Sequence, residues 1–160
     1  METNMDKLYF SWDEYYQLID KLSLQLLPLV KEGKINQIIS LARGGSIIGD
    51  ALSRKFNLPL AVMFTSSYTG NQRQGLIICE DIAKQYNTLG DKILVVDDLL
   101  DSGVTLKAVQ EYLQNKYQSQ VLTAVLWKKV CSPFDADFQV HIMPADAWIV
   151  QPFETVEKMV

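Results

Sequence analysis

The chain has 160 residues, 48% of them hydrophobic and 21% charged, which is enough for one globular domain with a buried core. The formal net charge of −4 argues against broad nucleic-acid binding, because such binding depends on a basic surface. Cys79 and Cys131 match no metal or redox spacing, so we expect buried or idle thiols in a reducing cytosol. The sequence shows neither a signal peptide nor a membrane-spanning apolar run, so we expect a cytoplasmic protein without membrane insertion.

Helices and strands are predicted to alternate along the chain. Ser11 and Glu14 form a capping box at the start of the first helix, which carries apolar residues at helical spacing and ends at Gly33. The segment 66–75 is polar and bounded by glycine, so we predict a loop there. The remaining predicted elements are strands at 37–41, 60–65, 76–79, 93–96, 121–127 and 138–143, and helices at 46–56 and 106–117.

This alternation predicts an α/β fold with a mostly parallel sheet. Ligands of such sheets bind beyond the carboxyl ends of the strands. Polar segments follow the predicted strands at 42–45, 66–75, 97–105 and from residue 128 onward. We therefore expect these segments to converge on one crevice.

The segment 93–105 carries the strongest functional signal. Four apolar residues predict a buried strand that Asp97 and Asp98 end, and a small polar turn then leads into a helix. Backbone N–H groups and the helix N-terminus of such a turn bind phosphate, and the paired acids can hold a metal or sugar hydroxyls. The segment is not a nucleotide P-loop, because no Gly-Lys-Ser/Thr follows, and its single glycine excludes a dinucleotide fingerprint.

The segment reads as two hydrophobic residues, then Asp-Asp, and then Asp-Ser-Gly-x-Thr. This order resembles the ribose-phosphate signature of type I phosphoribosyltransferases. The resemblance covers roughly residues 37–154 in the family's order. It implies the fold of that family, which is a central, mostly parallel sheet flanked by helices, with a small hood. We expect a single domain over 1–160, with the hood formed mainly by about 66–90 and by 129–160.

The resemblance also assigns phosphate-binding and catalytic residues. Arg43 and Gly44 would hold the pyrophosphate, with a cis Arg-Gly peptide bond between them, and Arg73 would reach the pyrophosphate from the hood. Asp101 would be the catalytic group that accepts a proton at the N7 side of the base, or steers its tautomer. The ribose and its 5-phosphate would be bound by Asp97, Asp98, Asp101, Ser102, Gly103, Val104 and Thr105, with Asp98 also binding Mg²⁺.

Base recognition is implied by the C-terminal tail. The run Asp-Ala-Trp-Ile-Val-Gln-Pro-Phe-Glu at 146–154 resembles the tail of bacterial xanthine-guanine phosphoribosyltransferases. By that resemblance Lys129 donates to O6 of a purine, Trp148 stacks on the ring, and backbone near Ile149 reads the base edge. Alignment without gaps from Trp148 favours Lys129 over Lys128.

The function implied is purine salvage. Ribose 5-phosphate would pass from phosphoribosyl pyrophosphate to N9 of a 6-oxopurine, with Mg²⁺ as cofactor, in a homodimer or homotetramer. A phosphoribosyltransferase for another base and a nucleotide-sensing regulator of the same fold are the alternatives. The chain departs from the bacterial xanthine-guanine phosphoribosyltransferases that it resembles at Val104 (usually glycine), at Val130 (usually proline) and in a longer 75–91 segment.

Overall fold

The computed structural model describes residues 7–70, 73–79 and 81–155. The helices are α1 (Trp12–Lys31), α2 (Ser46–Phe56) and α3 (Val104–Tyr117), and a short 3-10 turn covers Pro152–Thr155. The strands are β1 (Lys7–Tyr9), β2 (Gln37–Ala42), β3 (Leu60–Gly70), β4 (Arg73–Ile78), β5 (Ala83–Lys84), β6 (Lys92–Leu100), β7 (Gln120–Lys129), β8 (Phe138–Met143) and β9 (Trp148–Val150).

The main sheet has the strand order β4-β3-β2-β6-β7-β8, with β5 paired to β3. β3, β2, β6, β7 and β8 run parallel, whereas β4 and β5 are antiparallel to β3. The prediction of a mostly parallel α/β sheet is therefore confirmed. Because β2, β6 and β7 are neighbours, the segments that follow their carboxyl ends lie side by side.

Both faces of the sheet are covered by helices. Along β6 the apolar side chains alternate, with Leu94 and Val96 facing α1 and α2, and Ile93 and Val95 facing α3. All four side chains are essentially inaccessible to solvent. This alternation explains why a run of four apolar residues forms a central strand, since neither face can tolerate a polar residue.

A β-hairpin occupies the place of the predicted loop at 66–75. β3 continues to Gly70 and pairs with β4 in an antiparallel register that runs from Thr65↔Ile78 to Gly70↔Arg73. The loop prediction is wrong because it relied on polarity. A hairpin satisfies its backbone hydrogen bonds by pairing of its two strands, which needs no apolar pattern in the sequence, and Thr and Tyr are enriched in strands.

The acids at 97 and 98 do not end their strand either. β6 runs through them to Leu100 and stays paired with β7, while β2 pairs with β6 only as far as Val96. The acids therefore lie on a strand end whose β2 side has become open. α3 also begins two residues earlier than predicted, directly after Gly103, whose φ of +79° lets the chain turn sharply into the helix.

A separate two-stranded parallel sheet joins the two ends of the chain, and the sequence did not predict it. β1 pairs with β9, with Lys7 opposite Trp148 and Tyr9 opposite Val150. This pairing fixes the tail that carries Trp148 and Ile149. No helix within the described ranges is long and apolar enough to cross a membrane.

Candidate active site

The loop after β2 lies directly against the acids of β6. A Cβ atom at Gly44 would fall about 2.6 Å from Cγ of Asp98, and one at Gly45 would overlap the main chain of Val96. Only glycine allows so close an approach of the two segments. The loop that carries Arg43 and the strand end that carries Asp98 therefore lie side by side, as expected from their places after the carboxyl ends of parallel strands.

The cis peptide bond of this loop joins Ala42 to Arg43. The expected cis Arg43–Gly44 bond is thus misplaced by one residue. Neither bond involves proline, so the sequence carries no local mark of which one is cis.

The carboxylate of Asp98 is held on both oxygens. The backbone N–H of Leu99 donates to Oδ1 at 2.7 Å, and Nε2 of Gln151 donates to Oδ2. Asp97 is tied to the same strand end, because its Oδ1 accepts from the backbone N–H of Asp98 at 2.9 Å. Both acids are partly accessible to solvent.

Burial, together with the negative charge of Asp98, raises the pKa of Asp97 well above its usual value. A cation held by one or both of these carboxylates would relieve this crowding of negative charge. Within the described ranges no third His, Cys, Asp or Glu joins them to form a closed metal cage. That donor set fits Mg²⁺, which is commonly bound by one or two carboxylates and completes its shell with water and substrate oxygens.

The turn after β6 forms a small polar cavity of about 110 Å³. Gly103 occupies the cap position of α3 and brings no side chain to it, while Oγ of Ser102 accepts from the N–H of Val104 at 3.4 Å. The N–H groups at such a helix start can bind an anionic ligand. Phe134, from the loop after β7, fills the space that a side chain at Gly103 would need. The cavity is lined by Asp97, Leu99, Leu100, Asp101, Ser102, Gly103, Thr105 and Leu106.

The two lysines at the end of β7 point to different partners. Lys129 is largely buried, and its Nζ lies 3.7 Å from Oδ1 of Asp101. Lys128 pairs instead with Asp135. The structure therefore brings Lys129, and not Lys128, beside Asp101, which is the arrangement expected if Lys129 contacts the base.

The tail residues differ in exposure. The side chain of Trp148 is 51% exposed and available to a ligand, whereas Ile149 is buried in the core. A contact from position 149 to a base would therefore have to come from the backbone. The side chain of Arg73 lies outside the described part of the chain, although its backbone begins β4.

Sequence reasoning missed two residues that shape this site. Gln151 stands in the tail motif that was matched, but the match implied no contact with Asp98. Phe134 carries no local signal at all, because its place opposite Gly103 depends on how the loop after β7 folds back.

Comparison with known proteins agrees with this geometry. The phosphoribosyl transferase domain matches residues 11–158, nearly the whole chain. The chain belongs to the phosphoribosyltransferase family. The resemblance to type I members is thereby confirmed, and the protein is an enzyme of that class.

Solved structures show the same relationship. A purine phosphoribosyltransferase from Pyrococcus horikoshii is 30% identical, with 98% of this chain and 99% of that chain covered and a TM-score of 0.79. A xanthine-guanine-hypoxanthine phosphoribosyltransferase from Helicobacter pylori is 26% identical over 94% and 95% of the two chains, with a TM-score of 0.81. A Neisseria gonorrhoeae protein solved with bound ppGpp is 21% identical over 96% and 92%, with a TM-score of 0.72, and shares the fold.

Proposed function

We propose that this phosphoribosyltransferase acts in purine salvage. It transfers the 5-phosphoribosyl group of phosphoribosyl pyrophosphate to N9 of guanine, xanthine or hypoxanthine, and releases pyrophosphate. The observation that carries the proposal is Lys129 beside Asp101, with the phosphate cavity and the acid pair at the same sheet edge. The purine relatives from P. horikoshii and H. pylori support it.

The sugar phosphate is bound by the turn after β6. Ser102 to Thr105 and the N–H groups at the start of α3 hold the 5-phosphate, while Asp97 and Asp98 bind the ribose hydroxyls. Arg43 and Gly44 hold the pyrophosphate, and Arg73 reaches it from the hood. We assign to the hood the hairpin side of the molecule at about 66–90 and the segment 129–160, within one domain.

Asp98, with Asp97, would hold Mg²⁺, which neutralises charge on the departing pyrophosphate when it is bound. In the reaction the bond from C1 of ribose to the pyrophosphate oxygen breaks, and the bond from C1 to N9 of the base forms. Asp101 accepts the proton that the imidazole ring of the purine loses. The rest of catalysis is alignment of the two substrates and exclusion of water.

Lys129 selects the base. Its ammonium group donates hydrogen bonds and cannot accept them, so it fits the O6 oxygen of a 6-oxopurine and disfavours the exocyclic amine of adenine. Trp148 stacks on the ring, and the backbone near Ile149 reads the edge that distinguishes guanine, xanthine and hypoxanthine.

A panel of bases tests this assignment. The enzyme is incubated with phosphoribosyl pyrophosphate, Mg²⁺ and guanine, xanthine, hypoxanthine, adenine or uracil, and nucleoside monophosphate is quantified. We expect product with at least one 6-oxopurine and little with adenine or uracil. Product with uracil alone would favour the other-base alternative. Nucleotide binding without any product would favour a regulator.

We further propose a homodimer or homotetramer in the cytoplasm. Large apolar side chains are exposed on α1 and on β8, including Leu24 and Ile142, at 70% and 63%. Cys79 and Cys131 are exposed and free, as suits a reducing compartment. Sedimentation equilibrium should give a mass of two or four chains, and a monomer would contradict this part.

A further inference from the structure

Gln151 connects the base-binding tail to the acid pair. It follows β9 by one residue, its side chain is 4% exposed, and its Nε2 donates to Oδ2 of Asp98. An ionised carboxylate can only accept, so the amide nitrogen is the correct group to face it. The amide oxygen of Gln151 has no hydrogen-bond partner within the described ranges.

The backbone of Gln151 is fixed as well. Its N–H donates to Oε2 of Glu154 at 3.2 Å, and the N–H of Glu154 donates back to the carbonyl of Gln151 at 3.0 Å. On the other side, Val150 accepts from the N–H of Phe10 at 3.1 Å. The side chain of Gln151 therefore connects Asp98 to a part of the tail whose backbone is held by hydrogen bonds.

The surroundings make this single hydrogen bond important. Tyr15 is fully buried, its hydroxyl has no partner in the described part of the chain, and Phe153 and Trp127 each lie 6.1 Å from it between ring centroids. Burial and the negative charge of Asp98 together raise the pKa of Tyr15. Gln151 itself is almost inaccessible to solvent, so its hydrogen bond to Asp98 forms in surroundings where such a bond is stronger than in water.

We propose that Gln151 is a positioning residue that orients the Asp98 carboxylate for ribose hydroxyls and Mg²⁺ and ties that orientation to the base-binding tail. The proposal rests on the proposed function, because it takes Asp98 and the tail as substrate-binding parts. It implies that the two substrates influence each other's affinity through Gln151, and that this influence is reciprocal.

The test compares Gln151→Met with a matched control, Gln139→Met. Methionine keeps the length of the side chain and removes the donor. Gln139 lies on β8 and also has a buried amide oxygen without a described partner, but the described hydrogen bonds of Asp98 do not include it. Binding of phosphoribosyl pyrophosphate with Mg²⁺ is measured by titration calorimetry without any base, so that the readout does not depend on turnover.

We expect Gln151→Met to weaken this binding about tenfold, since a hydrogen bond to a charged group is lost, and Gln139→Met to stay within about twofold. In steady-state assays KM for both substrates should rise in Gln151→Met, with a smaller change in kcat. Thermal unfolding checks that each variant is folded at the assay temperature.

Gln151→Glu provides a second variant of nearly identical shape. It places a carboxylate against Asp98, so binding should be weaker than in Gln151→Met. The inference is overturned if either folded Gln151 variant binds within twofold of the wild type, or if Gln139→Met loses as much. A wild type that does not bind phosphoribosyl pyrophosphate would refute the proposed function itself, which separates the two failures.

Discussion

Single residues at the site are fixed by very close packing, and Asp98 shows this best. Its carboxylate meets the backbone of Gly44, the N–H of Leu99 and the amide of Gln151, which come from three separate parts of the chain. A small change at any of these contacts should move the acid. The predictions at this scale therefore concern substitutions that alter one group at a time.

Gly44→Ala should disrupt binding of phosphoribosyl pyrophosphate. The added Cβ would lie about 2.6 Å from Cγ of Asp98, so the loop or the acid must shift. Overpacking of this kind costs about 1–3 kcal/mol of stability. Calorimetry and thermal unfolding measure both effects. Gly75→Ala is the stability control, because a Cβ there meets nothing within 4 Å. Unchanged substrate affinity in Gly44→Ala would contradict the packing argument.

Asp101→Asn should lower kcat by ~10²–10⁴-fold while the affinity for phosphoribosyl pyrophosphate changes little. Asparagine keeps the shape of the side chain but cannot accept the proton that the base loses. Rapid-quench kinetics and equilibrium binding separate the two quantities. If affinity collapses while turnover is retained, Asp101 is a binding residue and the proposed role is wrong.

Lys129→Ala should raise KM for the preferred 6-oxopurine, and Lys128→Ala should leave it nearly unchanged. Loss of one charged donor costs about 1.5–3 kcal/mol of base recognition. Lys128 is the matched control, because it is the adjacent residue and pairs with Asp135 rather than Asp101. The opposite ranking of the two variants would mean that Lys128 enters the pocket.

At the scale of elements, the sequence predicted the helices and strands whose buried residues form an apolar pattern or whose ends carry a capping signal. α2 and β8 have the predicted bounds, and α1 begins after Ser11 with the predicted capping box. The polar hairpin and the β1–β9 pair were missed, because their pairing partners are set by tertiary structure and leave no periodic apolar pattern. The extension of β6 through Asp97 and Asp98 was missed because β2 no longer pairs with that part of β6, so the strand can carry acids there.

The capping box of α1 gives a prediction about pH. Hydrogen bonds from the backbone and side chain of Ser11 lower the pKa of Glu14 below its ordinary 4.5. A lowered pKa in the folded state means that the ionised side chain stabilises the protein above about pH 4.5, and that this stabilisation is lost as the pH falls through the lowered value.

Glu14→Gln removes the charge and leaves a side chain that can still cap. We expect its Tm to lie slightly below that of the wild type at pH 7, and the difference to shrink as the pH falls below 4.5 and through the lowered pKa of Glu14. Calorimetric unfolding over this range measures it. A difference that widens on acidification would contradict the assignment.

For the whole molecule, the decisive feature is the order of the strands. Because β2, β6 and β7 are adjacent and parallel, the glycine loop, the acids with the phosphate cavity, and Lys129 lie at one edge. The sequence predicted this convergence from the alternation of elements. It could not predict which strands are neighbours, nor the Gln151 and Phe134 contacts, because those depend on segments that are distant in the chain.

The most direct test of the central claim measures pyrophosphate and nucleoside monophosphate together. Purified enzyme is given phosphoribosyl pyrophosphate, Mg²⁺ and guanine, xanthine or hypoxanthine, alongside Asp98→Ala and a reaction with excess EDTA. We predict that the wild type forms both products in equal amounts with at least one of these bases, and that Asp98→Ala and EDTA nearly abolish both. Full turnover in EDTA, or no transfer to any 6-oxopurine, would contradict the account.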